Sequence, residues 1–137
     1  MKKGVPITRI MTKNLITLSL EDDLATAERL FKKHRIRHIP VTSGAQIRGM
    51  LSYTDLMRIS FADALHENEI DDSVYDMFTI EQIMANNVIS VTSQNTVREV
   101  AEQLAKKEFH ALPVVDDGIL SGIVTTTDLI NYFLENC

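Results

Sequence analysis

Several features are scarce or absent in this sequence, and each absence narrows the class of protein. There is one cysteine, Cys137, so no disulfide can form within the chain, and we expect a reducing, cytoplasmic setting. No apolar run approaches the roughly 18 residues that span a bilayer. No apolar run follows the basic residues at the N-terminus, so we expect no signal peptide. The formal net charge is −5, which argues against general nucleic-acid binding, because that needs a basic surface.

The usual signatures of enzymes and metal sites are also missing. The sequence shows no nucleophile–base pair, no glycine-rich phosphate loop and no paired acids, so we predict that the chain is not an enzyme. His34 and His38 are four residues apart, but a helix break is expected between them and no third ligand is suitably spaced. We therefore predict no metal site and no required cofactor.

An internal repeat is the main positive feature. When the sequence is shifted by about 73 residues against itself, twelve positions between 7 and 57 are identical without a gap. Apolar residues make up 45% and charged residues 24%, as in ordinary soluble domains. The match indicates a duplication. One repeat alone would have a marginal core, so we expect the two to fold together.

Both repeats are predicted to have the order β-α-β-β-α after a short helical turn. The turns are Ile7–Met11 and Ile80–Met84, and Asp22 and Asn95 are expected to begin the helices that follow the first strands. The second strands are predicted around His38–Val41 and Ala111–Val114. Each contains a proline, which suggests an edge or strand-start position. The remaining predicted elements are the strands Leu15–Leu18, Val88–Val91, Ile47–Leu51 and Ile119–Val124, and helices from Thr54 and Thr127. The stretch from Phe61 to Met77 reads as a helix extension followed by an acidic, exposed connector.

The order of these short motifs, in duplicate, resembles a tandem pair of CBS domains, also called a Bateman module. The resemblance covers nearly the whole chain. The motifs are Ile10-Met11-Thr12 and Ile83-Met84-Ala85, the segments His34–Val41 and Phe109–Asp116, and the two endings Gly…Ser/Thr-x-Thr-Asp-Leu.

The resemblance implies an α/β (α+β) fold with two β-α-β-β-α repeats, related by a pseudo-twofold and packed through their sheets. We expect repeat 1 at residues 1–60, a helix extension and acidic connector at 61–77, and repeat 2 at 78–137. Such pairs have two clefts and commonly dimerise. They usually bind adenine nucleotides or relatives such as S-adenosylmethionine, although some bind other ligands or none.

Two hydroxyl–x–x–acid sequences stand where a strand runs into a helix, namely Ser52…Asp55 and Thr125…Asp128. One interpretation is a capping box, which stabilises any helix start. The other is a ligand site, in which each carboxylate accepts hydrogen bonds from ribose hydroxyls while the helix N-terminus meets a phosphate. The duplication and the resemblance favour the second interpretation, and both roles could coexist.

Basic residues and strand residues near the prolines complete the candidate site. Arg37 could hold a phosphate with two hydrogen bonds, and His38 and His110 could make binding mildly pH-dependent, although a solvated basic surface is an equal alternative. Thr17 and Ser90 are predicted to lie in the middle of strands. By resemblance, one cleft combines Thr17, His38 and Ile39 with Thr125 and Asp128, and the other combines Ser90, Ala111 and Leu112 with Ser52 and Asp55.

The sequence therefore predicts a stand-alone sensor of AMP, ADP, ATP or a related adenosyl compound. It would signal by a change of shape or dimer geometry to a separate, unknown effector protein. The alternative is a ligand-independent dimerisation or interaction module. We also expect a homodimer through the last helix of each repeat, because of the apolar residues Leu56, Ile59, Ala62, Leu129, Ile130 and Phe133.

Overall fold

The computed structural model describes residues 4–66 and 72–137, and the side chains within 60–66 and 72–73 are outside that description. The chain forms two compact units of mixed α and β structure. One is continuous, Ile16–Val88, and the other is discontinuous, joining the residues up to Leu15 to Ile89–Cys137. None of the described helices combines the length and the apolar character that crossing a membrane requires.

The continuous unit contains a small mixed sheet covered by helices. Its strands are β1 (Leu18–Ser19), β2 (His38–Ser43) and β3 (Gln46–Ser52); its helices are α1 (Leu24–His34), α2 (Tyr53–His66), a 3₁₀ helix (Asp72–Met77) and α3 (Ile80–Ile83). β1 pairs parallel with β2, and β2 pairs antiparallel with β3. Gly44, with φ +61°, turns the β2–β3 hairpin, where a residue with a side chain would be strained.

The discontinuous unit repeats this plan with a shorter first strand. It contains a 3₁₀ helix (Ile7–Arg9), α4 (Val97–Lys106), β4 (Ala111–Asp116), β5 (Ile119–Thr125) and α5 (Thr126–Asn136). β4 and β5 form an antiparallel hairpin, and Val91 alone bridges to Val114 on the other side of β4. The predicted order of elements is confirmed in repeat 1, and in repeat 2 the predicted first strand, Val88–Val91, is reduced to the single bridge at Val91.

Helices α1 and α4 begin one residue later than predicted, whereas α2 and α5 begin one residue earlier. Asp23 and Thr96 cap α1 and α4, accepting hydrogen bonds from the N–H groups of Thr26 and Glu99. The predicted caps, Asp22 and Asn95, instead accept from Ser19 N at 2.8 Å and Thr92 N at 2.8 Å. Their side chains close the turn before the helix, which short polar side chains also do well.

The two strand prolines explain why the first strand of each repeat is so short. Val91 N donates to Pro113 O at 3.0 Å and Val115 N donates to Val91 O at 2.7 Å. The next bond upstream would need an N–H on Pro113, which proline lacks. Its proline suggested that β2 could be an edge strand. Instead, β2 pairs with β1 on one side and with β3 on the other.

Each unit has its own buried apolar cluster. Leu24, Ala27 and Phe31 bury one side of α1 in the continuous unit, and Val97, Val100 and Leu104 do the same for α4 in the other. The prediction of an exposed connector is wrong for its last part, since Val74 and Tyr75 are only 5% and 3% exposed and join the first cluster. Residues 67–71, which hold three of its acids, lie outside the described residues.

The segment before the first strand of repeat 1 belongs to the unit that contains repeat 2. Ile7 is fully buried in the discontinuous cluster, and Thr12 pairs with Ile123 through bonds of 2.8 and 3.0 Å. In the continuous unit, Ala85 likewise pairs with Met50 at 2.9 and 3.1 Å. The compact units therefore run across the predicted repeat boundaries, which stay a prediction.

Candidate functional site

Eight of the twelve candidate site residues lie at two equivalent places, four in each unit. β3 ends at Ser52 where α2 begins, and β5 ends at Thr125 where α5 begins. We call the first place the Ser52 junction (Arg37, His38, Ser52 and Asp55) and the second the Thr125 junction (His110, Ala111, Thr125 and Asp128).

The adjacent strand contributes the basic residues of each junction. His38 lies opposite Ser52, and Tyr53 N donates to Arg37 O at 2.8 Å. Ala111 lies opposite Thr125, and Thr126 N donates to His110 O at 3.0 Å. The hairpin register thus brings the residues before each proline to the start of the helix of the same repeat.

The Thr125 junction is a complete capping box. Asp128 N donates to Thr125 Oγ1 at 3.1 Å, and Thr125 N donates to Asp128 Oδ2 at 2.9 Å. The interpretation as a helix cap is therefore confirmed here. The cap uses Oδ2 of the Asp128 carboxylate, while Oδ1 has no hydrogen-bond partner among the described residues.

The Ser52 junction is only half closed. Asp55 N donates to Ser52 Oγ at 3.0 Å, but the Asp55 carboxylate contacts Arg58 Nη1 at 3.4 Å, one turn along α2. A separation of 3.4 Å is long for a charge-assisted hydrogen bond. The Asp55 side chain is 27% exposed and that of Arg58 is 75% exposed, so water screens this pair. Arg58 is not among the predicted site residues, although its i, i+3 spacing from Asp55 on a helix is typical of such a contact.

Side-chain burial separates the predicted residues into two groups. Ile39, Leu112 and Ala111 are 0%, 2% and 8% exposed, so their side chains belong to the cores and their backbone is what they could offer a ligand. Arg37 and His110 are exposed, and His38 is partly exposed. Polar groups that could meet a ligand therefore come from the strand ends and the helix starts.

Thr17 and Ser90 do not lie in the middle of strands, which corrects that prediction. Thr17 directly precedes β1, Ser90 directly precedes Val91, and both are exposed. The missing N–H of the strand prolines ends the ladder at this point, so both residues stand just beyond the paired backbone. Within the described residues, no group of three or more His, Cys, Asp or Glu could hold a metal ion.

The chain is therefore a tandem-repeat α+β protein. In each repeat, the last strand runs into a helix that begins with the hydroxyl–x–x–acid sequence. The sequence profile of the CBS domain matches residues 7–62 and 80–135. The chain belongs to the CBS domain family.

Known proteins resemble the chain over most of its length. It is 29% identical over 126 residues to the uncharacterized protein MJ1225 of Methanocaldococcus jannaschii, covering 91% of this chain and 41% of that protein. The crystal structure of MJ1225 superposes with a TM-score of 0.83 at 24% identity, over 97% of this chain and 49% of that one. The chain therefore spans less than half of this relative, and the likeness of the two structures shows the fold.

Two further comparisons add ligand and enzyme names. The CBS domain pair of protein MJ0100, solved in complex with 5′-methylthioadenosine and S-adenosyl-L-methionine, is 30% identical with a TM-score of 0.75, covering 94% of this chain and 99% of that one. An L-aspartate semialdehyde sulfurtransferase of M. jannaschii is 30% identical over 136 residues, which are 97% of this chain and 24% of the enzyme. In that relative, the matched region is a minor part of a larger protein.

Proposed function

We propose that the chain is a regulatory module that binds an adenosine-containing ligand, a nucleotide or an adenosyl compound, and transmits its occupancy to a partner protein. The observation that carries the proposal is the repeated junction, where a carboxylate, a hydroxyl and a helix start lie beside exposed Arg37 and partly exposed His38 in one unit and exposed His110 in the other. The MJ0100 pair, matched over nearly its whole length, supports the adenosine part.

The polar groups of the junctions suit the parts of such a ligand. A carboxylate can accept hydrogen bonds from both hydroxyls of a ribose, and Asp128 still has Oδ1 for this purpose. The first N–H groups of a helix and a nearby arginine favour a phosphate. Thr17 and Ser90 remain proposed adenine contacts, together with the backbone of Ile39, Ala111 and Leu112.

Ligand binding can be tested by thermal melting and titration calorimetry with AMP, ADP, ATP, S-adenosylmethionine and 5′-methylthioadenosine, using GTP as the base control. A ligand that binds only the native state raises the melting temperature. We expect at least one adenosine compound to do so, and GTP to do so less. If none of the five shifts the melting curve at millimolar concentration, the proposal is wrong.

The carboxylates provide the site-specific test. We expect Asp128→Ala and Asp55→Ala to weaken ligand binding at their own junctions by tenfold or more, because charge-assisted hydrogen bonds contribute about 1.5–3 kcal/mol. Asp117→Asn removes an exposed negative charge from the β4–β5 turn, where asparagine tolerates the φ of 52°, and serves as the matched control. Unchanged affinity in both junction variants would leave the two sequences as helix caps alone.

A dimerisation module is the second candidate, and α5 supplies the observation for it. Ile130, Phe133 and Leu134 are 57%, 38% and 71% exposed on this helix. Leu56 and Leu129, which were also expected to face a partner, are instead buried at 0% and 6%, and the side chain of Ala62 lies outside the described residues. Light scattering should give twice the 15.5 kDa mass, and Phe133→Glu should reduce it to that of one chain.

A further inference from the structure

The carboxylates of the two junctions have different partners. Asp128 is fixed by the cap, because Thr125 N donates to its Oδ2 at 2.9 Å. Among the described residues, Asp55 accepts no such bond from Ser52 N, and its Oδ1 instead lies 3.4 Å from Arg58 Nη1. The same sequence pattern therefore holds one carboxylate through the backbone and the other through a cation.

This cation is present in one repeat only. The shift that aligns Asp55 with Asp128 aligns Arg58 with Asn131, which carries no charge. Asn131 is exposed and forms no hydrogen bond with Asp128, and no ion pair involves Asp128 within 4–66 and 72–137. At the Thr125 junction, no cation of the described chain competes for the carboxylate.

Arg58 contacts an oxygen that a ribose would use. The adjacent 2′- and 3′-hydroxyls of a ribose can each donate a hydrogen bond to one oxygen of a carboxylate. At Asp128, Oδ2 retains acceptor capacity beside the cap bond, and Oδ1 has no partner among the described residues. At Asp55, the ribose has to displace Arg58 from Oδ1.

The displacement has a small cost, which the exposure of the pair limits. The Arg58 side chain is 75% exposed and that of Asp55 is 27% exposed, so water solvates the guanidinium group once it is released. The loss of such a pair corresponds to a change of about two- to threefold in a binding constant. The cap also holds Asp128 in place before the ligand arrives, and such preorganisation favours binding.

We propose that Arg58 is an internal competitor for the ligand at the Ser52 junction, so that an adenosine-containing ligand fills the Thr125 junction at lower concentration. The inference rests on the proposed function and deepens it, because it gives the two junctions unequal affinities and names the residue that sets the difference. Two unequal sites extend the range of ligand concentration over which the occupancy of the chain changes.

Calorimetric titration of the full chain with 5′-methylthioadenosine tests this proposal, because this probe has both ribose hydroxyls and no charge that attracts Arg58. Asp128→Ala removes the carboxylate of the Thr125 junction and leaves the Ser52 junction intact. In that background, Arg58→Gln should tighten binding by about two- to threefold. Arg48→Gln removes the same charge from an exposed position of β3 outside the junction, and it should leave the affinity within about 1.5-fold.

Salt separates competition from a structural effect of the substitution. At about 1 M salt the Debye length falls to about 3 Å, which weakens an exposed ion pair. The advantage of Arg58→Gln should therefore disappear at high salt, whereas the effect of a changed backbone would persist.

The reverse exchange tests the other junction. In an Asp55→Ala background, Asn131→Arg gives Asp128 the competitor that Asp55 has, and it should weaken binding of the probe by about two- to threefold at low salt. Asn131→Gln is the matched control, since it lengthens the side chain without adding a charge.

The outcomes distinguish this proposal from the proposed function. If Arg58→Gln leaves the affinity unchanged, weakens it, or tightens it equally at both salt concentrations, the role of Arg58 is overturned and the adenosine site stands. If the Asp128→Ala chain does not bind the probe with or without Arg58, the Ser52 junction is not a ribose site. A parent chain that binds ATP but not the probe would show that the ribose contact contributes too little for Arg58 to matter. If the parent binds no adenosine compound, both proposals are wrong.

Discussion

The Ser52 and Thr125 junctions have the same sequence pattern and different hydrogen bonding. Thr125 and Asp128 bind each other's backbone N–H groups, at 3.1 and 2.9 Å, whereas Ser52 accepts a bond and Asp55 contacts Arg58. The Thr125 junction has fewer cations close by in sequence and a better-fixed carboxylate, and the Ser52 junction has the opposite. A duplicated motif can thus serve helix stability more in one copy and leave its charge more available in the other.

The largest expected loss of stability tests whether the N-terminal segment belongs to the unit that contains repeat 2. Ile7→Ala should lower the free energy of unfolding by about 2–5 kcal/mol, because the removed side chain is fully buried. Amide exchange should quicken first in β4 and β5. Ile80→Ala is the counterpart, and it should quicken exchange first in β2 and β3.

Ile89→Ala is the control for both, since this isoleucine is 40% exposed and should matter little. Faster exchange in β2 and β3 from Ile7→Ala would contradict the composition of the two units.

The second-largest expected effect is a difference in stability between alanine variants of Gly49 and Gly122. Each of these glycines lies against a methionine of its own unit. A Cβ on Gly49 would collide with Met84 Sδ and lie 2.9 Å from the carbonyl oxygen of Ala85, whereas the three atoms nearest to a Cβ on Gly122 all belong to Met11, with Sδ at 2.6 Å. A methionine side chain can move and a paired backbone cannot. Gly49→Ala should therefore destabilise by about 2–3 kcal/mol and Gly122→Ala by about 1 kcal/mol.

Urea denaturation of both glycine variants measures this difference. Equal losses would mean that the Ala85 backbone yields as readily as a methionine side chain.

A smaller effect tests the junctions themselves in the absence of ligand. Asp128→Ala removes one half of a reciprocal cap and should reduce stability by about 1 kcal/mol. Asp55→Ala removes an exposed, long ion pair and should reduce it by a few tenths of a kcal/mol. Chemical denaturation at low and high salt measures the loss of stability in each variant. A larger loss in Asp55→Ala than in Asp128→Ala would contradict this prediction and make Asp55 the better cap.

The smallest effect is the pH dependence that Asp116 contributes to the discontinuous unit. The Ser93 N–H bond, opposed by partial desolvation and aided by the Ser93 and Ser121 hydroxyls, lowers the pKa of Asp116 below its usual 3.8. The unfolded chain therefore binds this proton at higher pH than the native one. The stabilisation is complete above about pH 4 and is lost as the pH falls through the native pKa below 3.8.

Urea midpoints between pH 7 and pH 3 check this prediction. Asp116→Asn should be less stable than the parent at neutral pH, and the gap should narrow below about pH 4. Asp117→Asn is the control, because Asp117 has φ 52° in the adjacent turn, which asparagine tolerates. Ser43 stands at the equivalent position of the continuous unit, so the contribution of Asp116 has no counterpart at that position. A gap that stays constant with pH would exclude the charge of Asp116 as the cause.

Much of the fold follows from the sequence alone. The shift of about 73 residues aligned Gly49 with Gly122 and Asp55 with Asp128, and apolar periodicity located α1 and α4, because these signals are local in the chain. Local signals fail where two neighbouring residues are both suited to one role. The sequence predicts Asp22 as the cap of α1, but Asp23 is the cap. It also predicts Thr17 as a strand residue, although Pro40 cannot donate the bond that would extend β1.

The tertiary structure decided three matters that no local pattern contains. The burial of Ile7 among residues of the second repeat depends on contacts about 90 residues away in the chain. The hydrogen bonding of Asp55 and Asp128 differs although the pattern Ser/Thr-x-x-Asp is the same in both. The left-handed conformation of Arg35 results from the helix end and the strand that follows, since its residue type alone would predict another conformation.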